Sequence, residues 1–203
     1  MNIIGKNKIM QIDTTTEHFH IRSITAYDKE GFMKIRRETS EVASSYELFP
    51  EFLDCSWNAT LNDETEISMV VFQGEELVAI CCFQDYSGDS VDIGYDVDGA
   101  HRGKGIGTLL AGDLVTLAHQ VFPNKKVYIR IREQNKASQR VAEKCGGKMI
   151  GYEPTPEAKL LKEMLGKFSK SSKSGDLITE EEKIAAEKII ESGVKGIRVY
   201  LMP

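Results

Sequence analysis

Apolar residues recur along this chain at two spacings, every second position and every third or fourth, and the two alternate from segment to segment. FHIRSI (19–24) reads as a short strand, and Thr25 with Asp28 three residues on marks a helix start. Helical spacing follows over about 26–43, and again in a second segment carrying Tyr46, Phe49, Phe52 and Trp57. EISMVVF (66–72) and LVAICCF (77–83) flank QGEE and form a hairpin; the second strand is apolar on both faces, which predicts a central place in a sheet. SVDIGYDV (90–97) alternates, with Val91, Ile93, Tyr95 and Val97 on one face and Asp92, Gly94 and Asp96 on the other. Ile106, Leu109, Leu110, Leu114, Leu117 and Ala118 then make one helical stripe. KVYIRIR (126–132) is a strand, NKASQRVAEKCGG (135–147) a short helix ended by glycines, and KMIGY (148–152) a further strand.

Residues 153–194 have another character. Leu161, Met164, Leu165 and Phe168 give one amphipathic helix, SKSSKSGD (169–176) a polar linker, and Thr179 with Glu182 a capping box. The box opens a second helix with Ile184, Ala185, Ile189 and Ile190 expected inward. GIRVYLM (196–202) returns as a strand. These two helices offer too little core to stand alone, so residues 1–203 read as a single domain with a helical insertion at about 153–194 before the last strand.

Between the strand at 90–97 and the helix after it lies HRGKGIGTLL (101–110), with glycines at 103, 105 and 107. Glycines at this spacing let backbone N–H groups converge, and a helix start adds unpaired N–H groups and a positive dipole end. Arg102 and Lys104 add positive charge. The assembly suits a pyrophosphate. It is neither a P-loop, since Gly103-Lys104 is followed by Gly105, nor a GxGxxG dinucleotide turn, since Thr108 and Leu110 stand where the last glycine would fall.

Composition narrows the class. The chain has 203 residues, 41% hydrophobic and 28% charged, which is ordinary for a globular protein. A net charge of −5 argues against a nucleic-acid partner. No apolar run reaches membrane-spanning length, and Lys6 and Lys8 interrupt any signal-peptide core. The cysteines at 55, 81, 82 and 145 form no CxxC pair, so a reduced, cytoplasmic protein without a metal is expected.

IGYDVDGAHRGKGIGTLL resembles the acetyl-coenzyme-A-binding motif of the GNAT family of N-acetyltransferases, Arg/Gln-x-x-Gly-x-Gly/Ala, with Arg102, Gly105 and Gly107 in its places. NKASQRVAEKCGGKMIGY resembles the family's next motif through Asn135, Ser138, Glu143, Lys144 and Gly146. The likeness covers about 66–152, extends less clearly to 19–65 and the last strand, and is absent from 153–194. Among branches it is nearest to the ribosomal-protein N-terminal (alanine/serine) acetyltransferases.

The resemblance implies a mixed α/β (α+β) fold: a central sheet of six to seven strands with a splayed parallel pair, 90–97 and 126–132, flanked by helices. Acetyl-CoA would be the co-substrate. Its pyrophosphate would lie on Arg102, Gly103, Lys104, Gly105, Ile106, Gly107 and Thr108, and its pantetheine arm along the backbone of Tyr95 and Val97 and against Asn135 and Ser138. Asn135 also reads as a helix N-cap, a role compatible with that contact, and His101 reads as a loop residue near the phosphates. The family's thiolate-protonating Tyr is replaced by Ala142, which leaves Ser138, one turn earlier, and then Tyr95 as candidate acids. Gly147 stands where the family has Phe. Asp92 and Asp96 are expected to be solvated. Tyr46, Phe49 and Trp57 are the candidate acceptor contacts, and each reads equally as a core aromatic; the lysines of the insertion suggest a lid or a docking face. The expected reaction moves acetyl to a primary amine, either a protein N-terminus or a small amine or polyamine. The alternative is a non-catalytic acyl-CoA-binding module. A homodimer is compatible with this reading; a nucleic acid or a membrane is not expected as a partner.

Overall fold

The computed structural model describes residues 10–39, 50–168 and 179–203. Eight strands form one sheet: β1 (Asp13–Thr15), β2 (His20–Ser23), β3 (Ile67–Gln73), β4 (Glu76–Gln84), β5 (Ser90–Val97), β6 (Lys126–Arg132), β7 (Lys148–Glu153) and β8 (Ile197–Leu201). Six α-helices accompany them among the described residues: α1 (Lys29–Thr39), α2 (Pro50–Leu61), α3 (Ile106–Val121), α4 (Lys136–Lys144), α5 (Pro156–Phe168) and α6 (Glu180–Gly193). The strand order is β1-β2-β3-β4-β5-β6-β8-β7. Only β5 and β6 run parallel; the other neighbours are antiparallel. The strand beyond the expected six to seven is β1, three residues too short to show an alternating pattern.

The period-2 alternation decides which residues reach each side of the sheet. On one side, Met69, Val71, Cys81, Phe83, Val91, Ile93, Val127, Ile129, Ile131 and Tyr200 pack with Ile106, Leu110, Leu114 and Leu117 of α3 and Ala142 of α4. On the other, Val70 and Ile80 pack with Phe32, Met33 and Ile35 of α1 and Trp57 of α2. The rest of that second side is polar. Glu66 precedes β3 opposite Gln84 of β4, and Gln84 pairs with Asp92 of β5. Ser68, Cys82 and Gly94 form the next row of the same face. A face this polar is not covered by core, and here it becomes the floor of a cavity.

The insertion lies between β7 and β8, which pair with each other. Thr179 and Glu182 form the expected capping box. The inward set differs from expectation, because Ile184 and Ile189 are 45% and 47% exposed and Ala185 is also exposed. The contact that closes the insertion is made by small residues: a Cβ on Gly193 would lie 2.6 Å from that of Ala158, and one on Gly196 would lie 2.2 Å from Thr155 Cγ2. The linker 169–176 lies outside the described residues.

Candidate active site

The parallel ladder of β5 and β6 runs only through Ser90–Lys126, Val91–Val127 and Asp92–Tyr128. Past Asp92, β5 keeps its pairing with β4, and past Tyr128, β6 keeps its pairing with β8, so a gap opens between them. The backbone N–H of Asp98 donates to Val78 of β4. By alternation Tyr95 and Val97 turn their backbone groups the other way, into the gap. The Val97 carbonyl accepts a 3.1 Å bond from Arg102 Nε.

At the head of the gap Gly103 and Gly105 adopt left-handed φ of 75° and 85°. A Cβ at either would meet nothing within 4 Å, so the loop faces open space. Gly105 is the N-cap of α3, and the first-turn N–H groups of Ile106 and Gly107 point out along the helix axis. Gly107 sits close to β5: a Cβ there would lie 3.7 Å from Tyr95 Cε2 and 3.8 Å from Val97 Cγ2. Open backbone donors, a helix dipole, Arg102 and Lys104 fit a pyrophosphate. His101 is not a free loop residue. It is buried, with Nδ1 2.9 Å from Asp98 and Nε2 3.2 Å from Glu76, and Lys34 Nζ donates to the same Asp98 at 2.7 Å.

Below the loop, a cavity of about 320 Å³ brings Tyr95, Asn135 and Ser138 together with Ile129 and Ile131. Asn135 caps α4, its Oδ1 accepting the Ser138 N–H at 3.0 Å. The Tyr95 hydroxyl is buried and has no hydrogen-bond partner among the described residues. Burial pushes its phenol above the usual value, so it stays protonated through the neutral range. Ala142 is fully buried in the core, and a side chain at Gly147 would strike the Ala142 carbonyl and Met202 Sδ, each at 2.8 Å. The α4 backbone and Met202, the residue after β8, thus occupy the room that a bulky residue at 147 would need. Cys145, also pushed up by burial, lies 3.4 Å from the Thr108 carbonyl.

The same cavity extends over the polar floor, lined by Phe32 and Arg36 of α1, Glu66, Cys82, Gly94, Asp96 and Arg130. Asp92 is not solvated as expected; it is 6% exposed. Burial raises its carboxyl while the guanidinium of Arg130, bonded to its Oδ2, opposes that shift. Asp96 pairs with Arg36 at 3.3 Å. Trp57 is 3% exposed and packs on Phe32 with ring centroids 5.4 Å apart. It therefore stands behind the cavity wall and not on it, because Phe32 takes the lining position. Tyr46 and Phe49 lie outside the described residues. Sequence reasoning missed Arg36, Glu66, Cys82 and Arg130. The available signal was that Arg130 shares a polar face with Asp92 on the adjacent strand.

The chain belongs to the GNAT acetyltransferase family, whose domain it matches over residues 13–148. It is an acetyl-CoA-dependent N-acetyltransferase, and the mixed sheet with one parallel pair is the fold of that family. A putative ribosomal-protein-serine acetyltransferase from Vibrio cholerae superposes with a TM-score of 0.59 at 15% identity, over 95% of this chain and 98% of that one. The Vibrio cholerae spermidine N-acetyltransferase in complex with CoA and spermine gives 0.59 at 13% identity, over 92% and 96%. No curated protein matches the sequence significantly. Among the described residues no helix is long and apolar enough to cross a membrane.

Proposed function

We propose that the acceptor is an amine carrying one positive charge, a peptide or protein N-terminus or a small amino compound, and not a polyamine. The observation that carries this is the charge of the cavity wall. Among the described residues that line it, three guanidinium groups (Arg36, Arg130 and Arg132) stand against two carboxylates (Glu66 and Asp96), a lining poorly suited to holding several ammonium groups at once. Glu66 is held by Ser68 and, at 2.5 Å, by the Gln84 amide. It is placed to meet a single ammonium.

In this reading the residues Arg102–Thr108 hold the pyrophosphate, and the β5 backbone at Tyr95 and Val97, with Asn135, holds the pantetheine arm. Tyr95 gives its proton to the departing sulfur. Its buried hydroxyl, without a partner among the described residues, supports that role, because a buried donor without an acceptor is costly unless a ligand supplies one. Ser138, on the same cavity, is the second donor. The insertion at 153–194 borders the acceptor side within one domain, and four unpaired cysteines favour a reducing, cytoplasmic setting.

The test is thiol release from acetyl-CoA with a panel of free-N-terminus peptides, amino-acid amides and polyamines. Peptides or amides should turn over faster than spermidine; the reverse order overturns the assignment. Tyr95→Phe should lower kcat by on the order of 10²-fold with CoA affinity kept, as for loss of a general acid. If Ser138→Ala shows that loss and Tyr95→Phe does not, the donor is Ser138.

A further inference from the structure

Arg130 is held in a way the reaction so far leaves unexplained. Its Nη1 donates to Asp92 Oδ2, while its Nε and Nη2 donate to Glu153 at 3.0 and 3.2 Å. Its guanidinium carbon lies 5.7 Å from the centroid of the Tyr128 ring. Three strands, β5, β6 and β7, thus fix one planar group that remains 32% exposed and lines the acceptor cavity. A guanidinium has five N–H donors and no acceptor, so two N–H remain beyond these three bonds.

Its position is set by register. Asp92 and Tyr128 are the last pair before β5 and β6 part. Two residues further on each strand stand Gly94 and Arg130, on the same polar face and on opposite banks of the gap. Gly94 has no side chain to fill the space: a Cβ there would lie 3.0 Å from Cys82 Sγ. In the acceptor reading above, the opening over Gly94 lies on the acceptor side of the gap, and the group on the opposite bank is a clamped, donor-only fork.

We infer that Arg130 is a specificity-determining residue that selects amines flanked by a carbonyl or carboxylate oxygen, as in an α-amino acid, its amide or a peptide N-terminus, by holding that oxygen while the amine sits over Gly94. Asp92 and Glu153 act through Arg130 and are positioning residues. A plain alkylamine offers Arg130 nothing to accept its N–H groups. This inference rests on the acceptor reading above and names the atom that distinguishes acceptors within it.

The experiment measures kcat/KM toward alaninamide and toward isopropylamine, which has a methyl group in place of the carboxamide, for the wild-type protein and for Arg130→Met. Because Met leaves the buried Asp92 unpaired, the double variant Asp92→Asn/Arg130→Met is measured beside it. CoA affinity is followed for each variant as the check on the fold. The expected result is a 10- to 100-fold loss toward alaninamide, the range for a hydrogen bond to a charged group, with less than about 3-fold change toward isopropylamine and CoA affinity kept. Equal losses toward both amines, or no loss toward alaninamide in the double variant, overturn the role of Arg130. A wild-type preference for spermidine over both amines would overturn the acceptor reading instead, and the two failures are separate.

Discussion

Two of the three glycines of the loop do different work, and substitution separates them. Gly105 needs its left-handed φ of 85°, and the space before it is open. A β-branched residue there distorts the turn and projects where phosphate would meet backbone. Gly107 has ordinary backbone but lies against Tyr95 and Val97, where a Cβ just fits, so the two methyls of Val beyond it press on β5. Gly105→Val and Gly107→Val should each weaken CoA by more than about 10-fold by calorimetry, and Gly107→Val should also lower kcat through Tyr95. Affinities within a few-fold of wild type would remove the anion site from the loop. These glycines were legible in the sequence because their spacing is local. Arg130 left only the faint signal of a polar face shared with Asp92, because its partners come from β5 and β7, and no periodicity links residues 92, 130 and 153. Trp57 shows the opposite failure. An aromatic on an early helix suggested an acceptor wall, and its burial depends on Phe32, a residue of another helix.

The strands and helices were legible wherever one face meets a core. On β5 the alternation predicted an apolar and a polar face, and the apolar one is the face that packs with α3. It could not tell that Asp92 is buried, since that needs Arg130 across the gap. In the insertion the apolar spacing predicted two helices, but Ile184 and Ile189 remain exposed, because the pair closes at Ala158, Gly193 and Gly196. Charge ties the insertion to the sheet. Arg132 Nη2 donates to Glu157 at 2.9 Å, and this bond above all holds the Glu157 carboxyl down at about 2, from 4.5. Arg198 likewise holds Glu133 at about 2. A depressed carboxyl stabilises fully above its ordinary value and loses that contribution as pH falls through its folded value. Docking of α5 should therefore weaken between pH 4.5 and about 2. The effect is small because both pairs are solvent-screened. Pepsin should cut within 156–193 before it cuts the core across that window. Glu157→Gln should be cut faster than wild type at the upper end of the window, with the two rates converging near pH 2; coincident rates throughout would mean that Glu157 does not hold the helix.

Taken whole, the molecule is a sheet with a short seam. Strands β1–β5 and the group β6, β8, β7 share only three residue pairs along β5 and β6, and the core beneath α3 and α4 spans both sides. A ligand lying along the β5 backbone at Tyr95 and Val97 and against Asn135, the α4 cap that follows β6, adds contacts on both banks of that seam. CoA that binds only the folded chain, at about 100 times its Kd, contributes roughly 2.7 kcal/mol. For a chain of this size each kcal/mol moves Tm by about 2–4 °C, so saturating CoA should raise Tm by roughly 5–11 °C. Hydrogen exchange should slow most at Tyr95 and Val97, whose outward N–H groups face the gap and have no strand partner among the described residues. Pyrophosphate reaches the loop but not the seam, so it should slow exchange at 103–108 and leave Tyr95 and Val97 unchanged. If CoA and pyrophosphate protect the same residues, the pantetheine arm does not lie in the gap, and the assignment of Tyr95 and Asn135 fails with it.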